Sequence, residues 1–180
     1  MTARAKKSER RVKVIDGIVG CLRDPKCIAQ IGFRTKPEDV IQQSLFHQLL
    51  KELRRIYREL EPGLLPETYE RKAEESLLWE GDNTTVINMI QFLGTQHRPD
   101  FVLTLDSTRI AIEVKRGDTG AAIREGIGQS LVYAHEYEFV VYAFYDTTAE
   151  GRVSRSVEHA GERAFVDDLW EHHNVRFEVI

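Results

Sequence analysis

The chain has 180 residues, 42% of them hydrophobic and 30% charged, with a formal net charge of −4. This length suits one domain with its own core, and the composition suits a soluble globular protein. No apolar run approaches the roughly 20 residues of a membrane helix, and the basic start lacks the apolar segment of a secretory signal.

Cys21 and Cys27 are the only cysteines, and no second Cys or His pair completes a zinc site around them. A reducing, cytoplasmic setting with both thiols free is the simplest expectation. The positive charge is uneven. Arg4, Lys6, Lys7, Arg10, Arg11 and Lys13 crowd the first thirteen residues against Glu9 alone. That segment reads either as a solvated tail or as an arm that contacts nucleic acid. The acidic total decides little, because clustered carboxylates are also what bind a metal.

In chain order, residues 1–13 predict a polar start and Val14 to about Gly20 a short helix. Arg23-Asp24-Pro25 then breaks the chain, and the stretch to Phe33 has no assigned role beyond packing. A strong helix signal begins at Lys36-Pro37-Glu38-Asp39, where proline and acids suit a helix N-terminus. Val40, Ile41, Leu45, Leu49, Leu50, Leu53 and Ile56 carry one apolar stripe to about Leu60. Beyond Pro62–Pro66, Ser76–Trp79 and Val86–Ile90 read as strands around a turn at Gly81-Asp82-Asn83. Phe101–Leu105, a turn at Asp106-Ser107, and Arg109–Lys115 form a hairpin. A helix over about Ala121–Tyr137, a buried strand at Phe139–Tyr145, a helix over about Ser156–His172 and a strand at Val175–Ile180 complete the series. The expected class is α/β (α+β), a central mixed sheet flanked by helices. Residues 1–35 form a basic N-terminal extension with a short helix, and residues 36–180 form the α/β domain.

The chemistry concentrates in Arg98-Pro99-Asp100-Phe101-Val102 and, twelve residues on, Glu113-Val114-Lys115. Alternation along a strand points Glu113 and Lys115 to one face and Ile110, Ile112 and Val114 to the other. Charges inside an apolar strand are costly to bury unless paired or bound to metal. Asp100, at the foot of the partner strand, folds back beside Glu113. Two converging carboxylates suit a hard divalent cation such as Mg²⁺. Such an ion polarises a phosphoryl oxygen and lowers the pKa of a bound water. Lys115 would orient that water or stabilise charge in the transition state. The competing reading is a surface Glu–Lys pair on an edge strand, with Asp100 capping a turn.

Pro99-Asp100…Glu113-Val114-Lys115 resembles the signature of the PD-(D/E)xK nuclease superfamily, which includes restriction endonucleases, Holliday-junction resolvases and RecB-like exonucleases. The likeness covers roughly residues 36–146 and implies a restriction-endonuclease-like core. It implies a Mg²⁺- or Mn²⁺-dependent nuclease with Asp100, Glu113 and the Val114 carbonyl as metal ligands and Lys115 as the catalytic amine. Gln129 and Tyr133, four apart on one helix face, resemble the Gln-x-x-x-Tyr element of RecB-like members, which contacts substrate. They flank a stripe of Ile123, Ile127, Leu131 and Ala134. The family often adds an acid from the first helix. Glu38 is the candidate, with Glu52, Glu74 and Glu75 as fallbacks, while a carboxylate favoured only by the helix dipole is the alternative.

The expected substrate is DNA, in a restriction, repair or defence setting, with no membrane partner. A homodimer is one arrangement by which so short a chain would embrace a duplex. A silent nuclease-fold protein that binds nucleic acid or a partner, and an RNA-cleaving subunit of a larger complex, are the rival readings. Other enzyme classes find little support. His172 and His173 are adjacent and face about 100° apart, and His47, His97, His135 and His159 lack partners at ligand spacing; His97 precedes the motif and reads either as a solvated loop histidine, the commoner case, or as a phosphate contact. Gly117-x-x-Gly120 has no P-loop lysine, and no serine sits in a nucleophile elbow.

Overall fold

Residues 6–84 and 86–180 are described by the structure, a computed structural model. Helix α1 (Glu9–Arg23) buries Val14, Ile15, Ile18, Val19 and Leu22, a stripe at helical spacing. Asp24 ends it and starts α2 (Pro25–Ile31) by accepting the Lys26 N–H at 2.7 Å, with Pro25 in the first turn. Helix α1 is thus longer than the expected Val14–Gly20, and the stretch toward Phe33 is largely helical. The basic residues of the first segment are correspondingly engaged. Lys7 pairs with Glu171, Lys13 with Glu59, and Arg10 with both Glu61 and Asp106. Arg4 lies outside the described residues.

Helix α3 (Glu38–Leu60) follows the sequence reading closely and buries Ile41, Leu45, Leu49, Leu53, Ile56 and Tyr57. Helix α4 (Pro66–Ser76) takes the place of a region that reads as β-like. Its opening, Pro66-Glu67, is the same proline-plus-acid signal that starts α3. Strand β1 (Leu77–Trp79) follows. The strand expected at Val86–Ile90 is mostly irregular. Ile87 drops singly into the core, while Val86 and Met89 are exposed, so the apolar run has no partner strand. Instead β2 (Ile90–Phe92) and β3 (Thr95–His97) pair as a separate hairpin.

Strands β4 (Phe101–Leu105), β5 (Thr108–Gly117), β6 (Phe139–Asp146) and β7 (Val175–Val179) join β1 in a five-stranded sheet of order β1-β4-β5-β6-β7. The β1–β4 and β4–β5 pairs are antiparallel, whereas β5–β6 and β6–β7 are parallel. Helix α5 (Gly120–Glu136) makes the crossover from β5 to β6, and α6 (Arg152–Ser156) and α7 (Ala160–His173) lead to β7. The last helix expected over Ser156–His172 is α7, which begins four residues later, and the short α6 precedes it. The expected mixed sheet flanked by helices is what the chain forms. Alternation divides the core: Ile110, Ile112 and Val114 face α1 and α3, whereas Ala111, Tyr142 and Phe144 face α5 and α7. Residues of α1 and α2 share the first of these clusters with α3 and the sheet. Among the described residues, no helix is long and apolar enough to cross a membrane.

Asp146 closes β6. Its carboxylate accepts the N–H groups of Thr148, Val153 and Ser154 at 2.9, 2.9 and 3.0 Å, and the Thr148 hydroxyl at 2.6 Å. Burial alone would raise its pKa, but these donors win and hold the carboxyl below its ordinary value. A depressed carboxylate adds stability above the ordinary value of about 3.9, and that stability is lost as pH falls through the folded value. Asp146→Ala is expected to lose about 2 kcal/mol at pH 7, with the gap in melting temperature closing as the protein is acidified. A gap that is constant from pH 7 to pH 3 would show that the charge is irrelevant.

Candidate active site

The β4–β5 ladder brings the separated acids together. Its last pair is Phe101 with Ile112, so Asp100 stands one step beyond, level with Glu113. Strand β4 has ended there, and the Asp100 side chain substitutes for it: Oδ2 accepts the Val114 N–H at 2.7 Å. The N–H and C=O of a strand residue point to the same neighbour, so the Val114 carbonyl opens on the same vacated edge. The Asp100 backbone is itself fixed, its carbonyl accepting the Glu80 N–H at 2.9 Å. From α3, Gln42 Nε2 donates to Asp100 Oδ1 at 2.7 Å.

Glu113 and Lys115 share the α5-facing side of β5, and Lys115 Nζ lies 3.1 Å from Glu113 Oε1. Both acids are buried, Asp100 at 5% exposure and Glu113 at 2%. Glu113 Oε2 has no hydrogen-bond partner. The edge-strand reading does not hold, because β5 is the middle strand of the sheet.

Burial, then the charge of Glu113, pushes the Asp100 carboxyl well above its ordinary pKa, against the pull of the Val114 N–H. Burial also raises Glu113, partly offset by the charge and hydrogen bond of Lys115 and by the hydroxyl of Tyr133. Burial acts to lower Lys115, but the charges of Glu113 and Asp100 win and keep its amine above the usual lysine value. Burial and the same two carboxylates raise the Tyr133 phenol, which stays protonated and donates to the Arg98 carbonyl at 2.9 Å. Two acids held side by side at this cost are a reservoir of like-charge repulsion that a cation would relieve.

These groups open on a cleft of about 440 Å³. Glu38 from α3, Asp100, Glu113 and Lys115 from the sheet, and Gln129 and Tyr133 from α5 all lie on it, whereas the fallback acids Glu52, Glu74 and Glu75 do not line it. The Val114 side chain packs into the core on the other face of the sheet, so only its backbone faces the site. Glu38 lines the cleft and its charge is felt at Asp100 and Lys115. Among the described residues, however, no three His, Cys, Asp or Glu side chains gather as a ready-made metal cage. Gln42 and Glu80 also line the cleft without having been read from the sequence, as does Arg98, which the motif includes without a role. Gln42 was findable, since it sits four residues after Glu38 on one helix face. Glu80 and Arg98, an ion pair at 3.4 Å, carry no such signal.

Helix α5 differs from expectation in its buried face. Gly126, Ser130 and Tyr133 are buried, while Leu131 of the supposed stripe is 41% exposed. Small residues let the helix settle onto Tyr142, and a pattern of large apolar residues misses them. Tyr133 is consequently central to that face, and Gln129 turns toward the cleft with a buried Oε1 that has no partner. Compared with protein-family models, curated proteins and solved structures, the chain matches none.

Proposed function

We propose that the chain is a divalent-metal-dependent nuclease of the PD-(D/E)xK type that hydrolyses phosphodiester bonds in DNA. The observation that carries this reading is the meeting of two buried acids, one with an unpartnered oxygen, beside a lysine at the floor of a polar cleft. The donor set fits Mg²⁺ or Mn²⁺: two carboxylates and a backbone carbonyl are all hard oxygen ligands, and Mg²⁺ commonly takes one or two carboxylates and keeps several waters. Asp100, Glu113 and the Val114 carbonyl would hold the ion. Bound there, it would supply Lewis-acid polarisation of the scissile phosphate and a water of lowered pKa.

The chain's own groups divide the remaining work. Lys115 is protonated at neutral pH, so Nζ acts as a donor that orients the attacking water and stabilises phosphoryl charge, not as a general base. Tyr133 holds the Arg98 carbonyl and thereby the approach to Asp100. Gln129 offers an acceptor to the strand, and Glu38 adds negative charge at the α3 side of the site. Gln42 positions Asp100. Removing such a supporting group typically costs 10–100-fold in metal affinity or activity. Gln42→Ala should fall in that range by metal titration while melting close to the parent.

The direct test incubates the protein with plasmid and linear DNA and Mn²⁺, beside Lys115→Ala. The parent should cut and the variant should lose roughly 100-fold. Equal cleavage by both would refute the assignment. Cleavage confined to RNA would move the substrate, and DNA binding without any metal uptake would favour a silent nuclease-fold protein.

A further inference from the structure

The β2–β3 hairpin stands at the mouth of the cleft, and its tip is unusual. The Phe92–Thr95 pair closes a two-residue loop, Leu93-Gly94, with φ of 48° and 77°. Two consecutive positive φ values belong to the primed hairpin turns, where Asn or Gly is the favoured first residue. Here that residue is Leu93, 88% exposed, next to Phe92, 47% exposed. A large apolar side chain is thus held in a left-handed conformation and presented to solvent. Such outliers concentrate where function requires them.

The rest of the hairpin is built to hold that tip still. Ile87 is buried with Val102 and Tyr133, and Ile90 packs against the same cluster. The Thr95 hydroxyl donates to the Phe92 carbonyl at 2.8 Å and meets His97 Nε2 at 2.7 Å. At the root, Met89, Gln96 and His97 line the same cleft as Asp100, Glu113 and Lys115. His97 lies four residue steps from Leu93, a span of at most about 13 Å. The tip therefore stands about four nucleotide steps beyond the part of the hairpin that lines the cleft, within reach of a polynucleotide that leaves the cleft on this side.

We infer that this hairpin is a wedge, in which Phe92 stacks on, and Leu93 inserts beside, bases of the nucleic acid in the cleft. This rests on the cleft taking nucleic acid. Rigid apolar side chains at a groove unstack base steps, and aromatic faces hold unpaired bases. The substrate class is then DNA with unpaired or easily opened bases, such as a single-strand/duplex junction, over uniform duplex.

The test uses the full chain in a Lys115→Ala background, with a labelled single strand, a duplex, and a fork carrying 2-aminopurine at the junction. The fork and single strand should bind more tightly than the duplex, and the 2-aminopurine signal should rise on binding. Phe92→Ala and Leu93→Gly should each weaken fork binding roughly 10-fold and leave duplex binding unchanged. Leu93→Gly relieves the positive φ, so it should melt no lower than its parent, which separates lost binding from lost folding. Unchanged fork binding by both variants would overturn the wedge, as would variants whose sole effect, by light scattering, is to split a dimer. Cleavage is read separately with Lys115 intact and Mn²⁺. Phe92-dependent unstacking without any cleavage sinks the nuclease reading and keeps the wedge; cleavage indifferent to the hairpin does the reverse.

Discussion

On the proposed reading as a metal-dependent nuclease, Asp100→Asn should make the metal-free protein more stable while reducing DNA cleavage by more than the roughly 100-fold of a support group. The stability half follows from electrostatics. Asp100 is buried beside Glu113, and both effects push its pKa up. A carboxyl with a raised folded pKa contributes stability that is complete below the ordinary value, about 3.9, and lost as pH rises through the folded value. As pH rises through that folded value the wild-type protein loses the contribution, whereas the neutral amide has no such loss. The hydrogen bonds survive, since the Asn carbonyl can accept the Val114 N–H and a turned Gln42 amide can accept from the Asn nitrogen. A gain of about 1 kcal/mol would raise the melting temperature by roughly 2–4 °C in a domain of this size. The difference should be widest at neutral to alkaline pH and shrink on acidification. The activity half follows because support groups around a metal are worth 10–100-fold, and a direct ligand is worth more. Metal should stabilise the wild-type protein, by about 2.7 kcal/mol at 100 times the dissociation constant, and leave the variant unmoved. An Asn variant that melts lower in EDTA, or still responds to Mg²⁺, would contradict this account of the pair.

Gly126→Ala sets two opposite effects against each other. In an exposed helix interior, alanine is worth about 1 kcal/mol over glycine. At Gly126 a Cβ would stand 2.2 Å from Tyr142 Cζ and Oη. That ring has nowhere to go: it is fully buried, stacked on Phe177 at 5.0 Å, and its hydroxyl meets the Ala122 carbonyl. Overpacking a filled core costs about 1–3 kcal/mol, and separation this short lies at the upper end, so the clash wins. The expected net loss is about 2 kcal/mol, or roughly 4–8 °C in melting temperature. Helix α5 also carries Gln129 and Tyr133, so lifting it from the sheet should lower cleavage as well. Gly128→Ala is the control, because nothing lies within 4 Å of its added Cβ, and it should be neutral or stabilising. A Gly126→Ala protein at least as stable as wild type would show that α5 is not seated through this contact.

Local signals made part of the molecule legible from the amino acids. Pro37-Glu38-Asp39 and the stripe from Ile41 to Ile56 specify α3, because a helix start and a 3.6-residue period need no distant partner. The β4–β5 hairpin is similarly local. Its short turn and alternating pattern bring Asp100 level with Glu113 and place Lys115 on the face of Glu113. The same local logic was available for α4 at Pro66-Glu67, but its buried face is only Tyr69, Ala73 and Ser76, too thin a stripe to read as a helix.

Tertiary structure decided the rest. That β5 is the middle strand, and so buries Glu113 to 2% exposure, depends on β6 pairing along its far edge. The support of Asp100 by Gln42 requires α3 to cross the end of the sheet, 58 residues away in sequence. The docking of α5 through Gly126 and Ser130 depends on a tyrosine of another strand, and small residues leave no trace in a hydrophobic pattern. Burial and long-range pairing are properties of the assembled chain, and it is burial that shifts the pKa values of Asp100, Glu113 and Lys115 together. The residue types, their spacing and the faces they take along a strand or helix were written in the sequence; their common cleft came only with the fold.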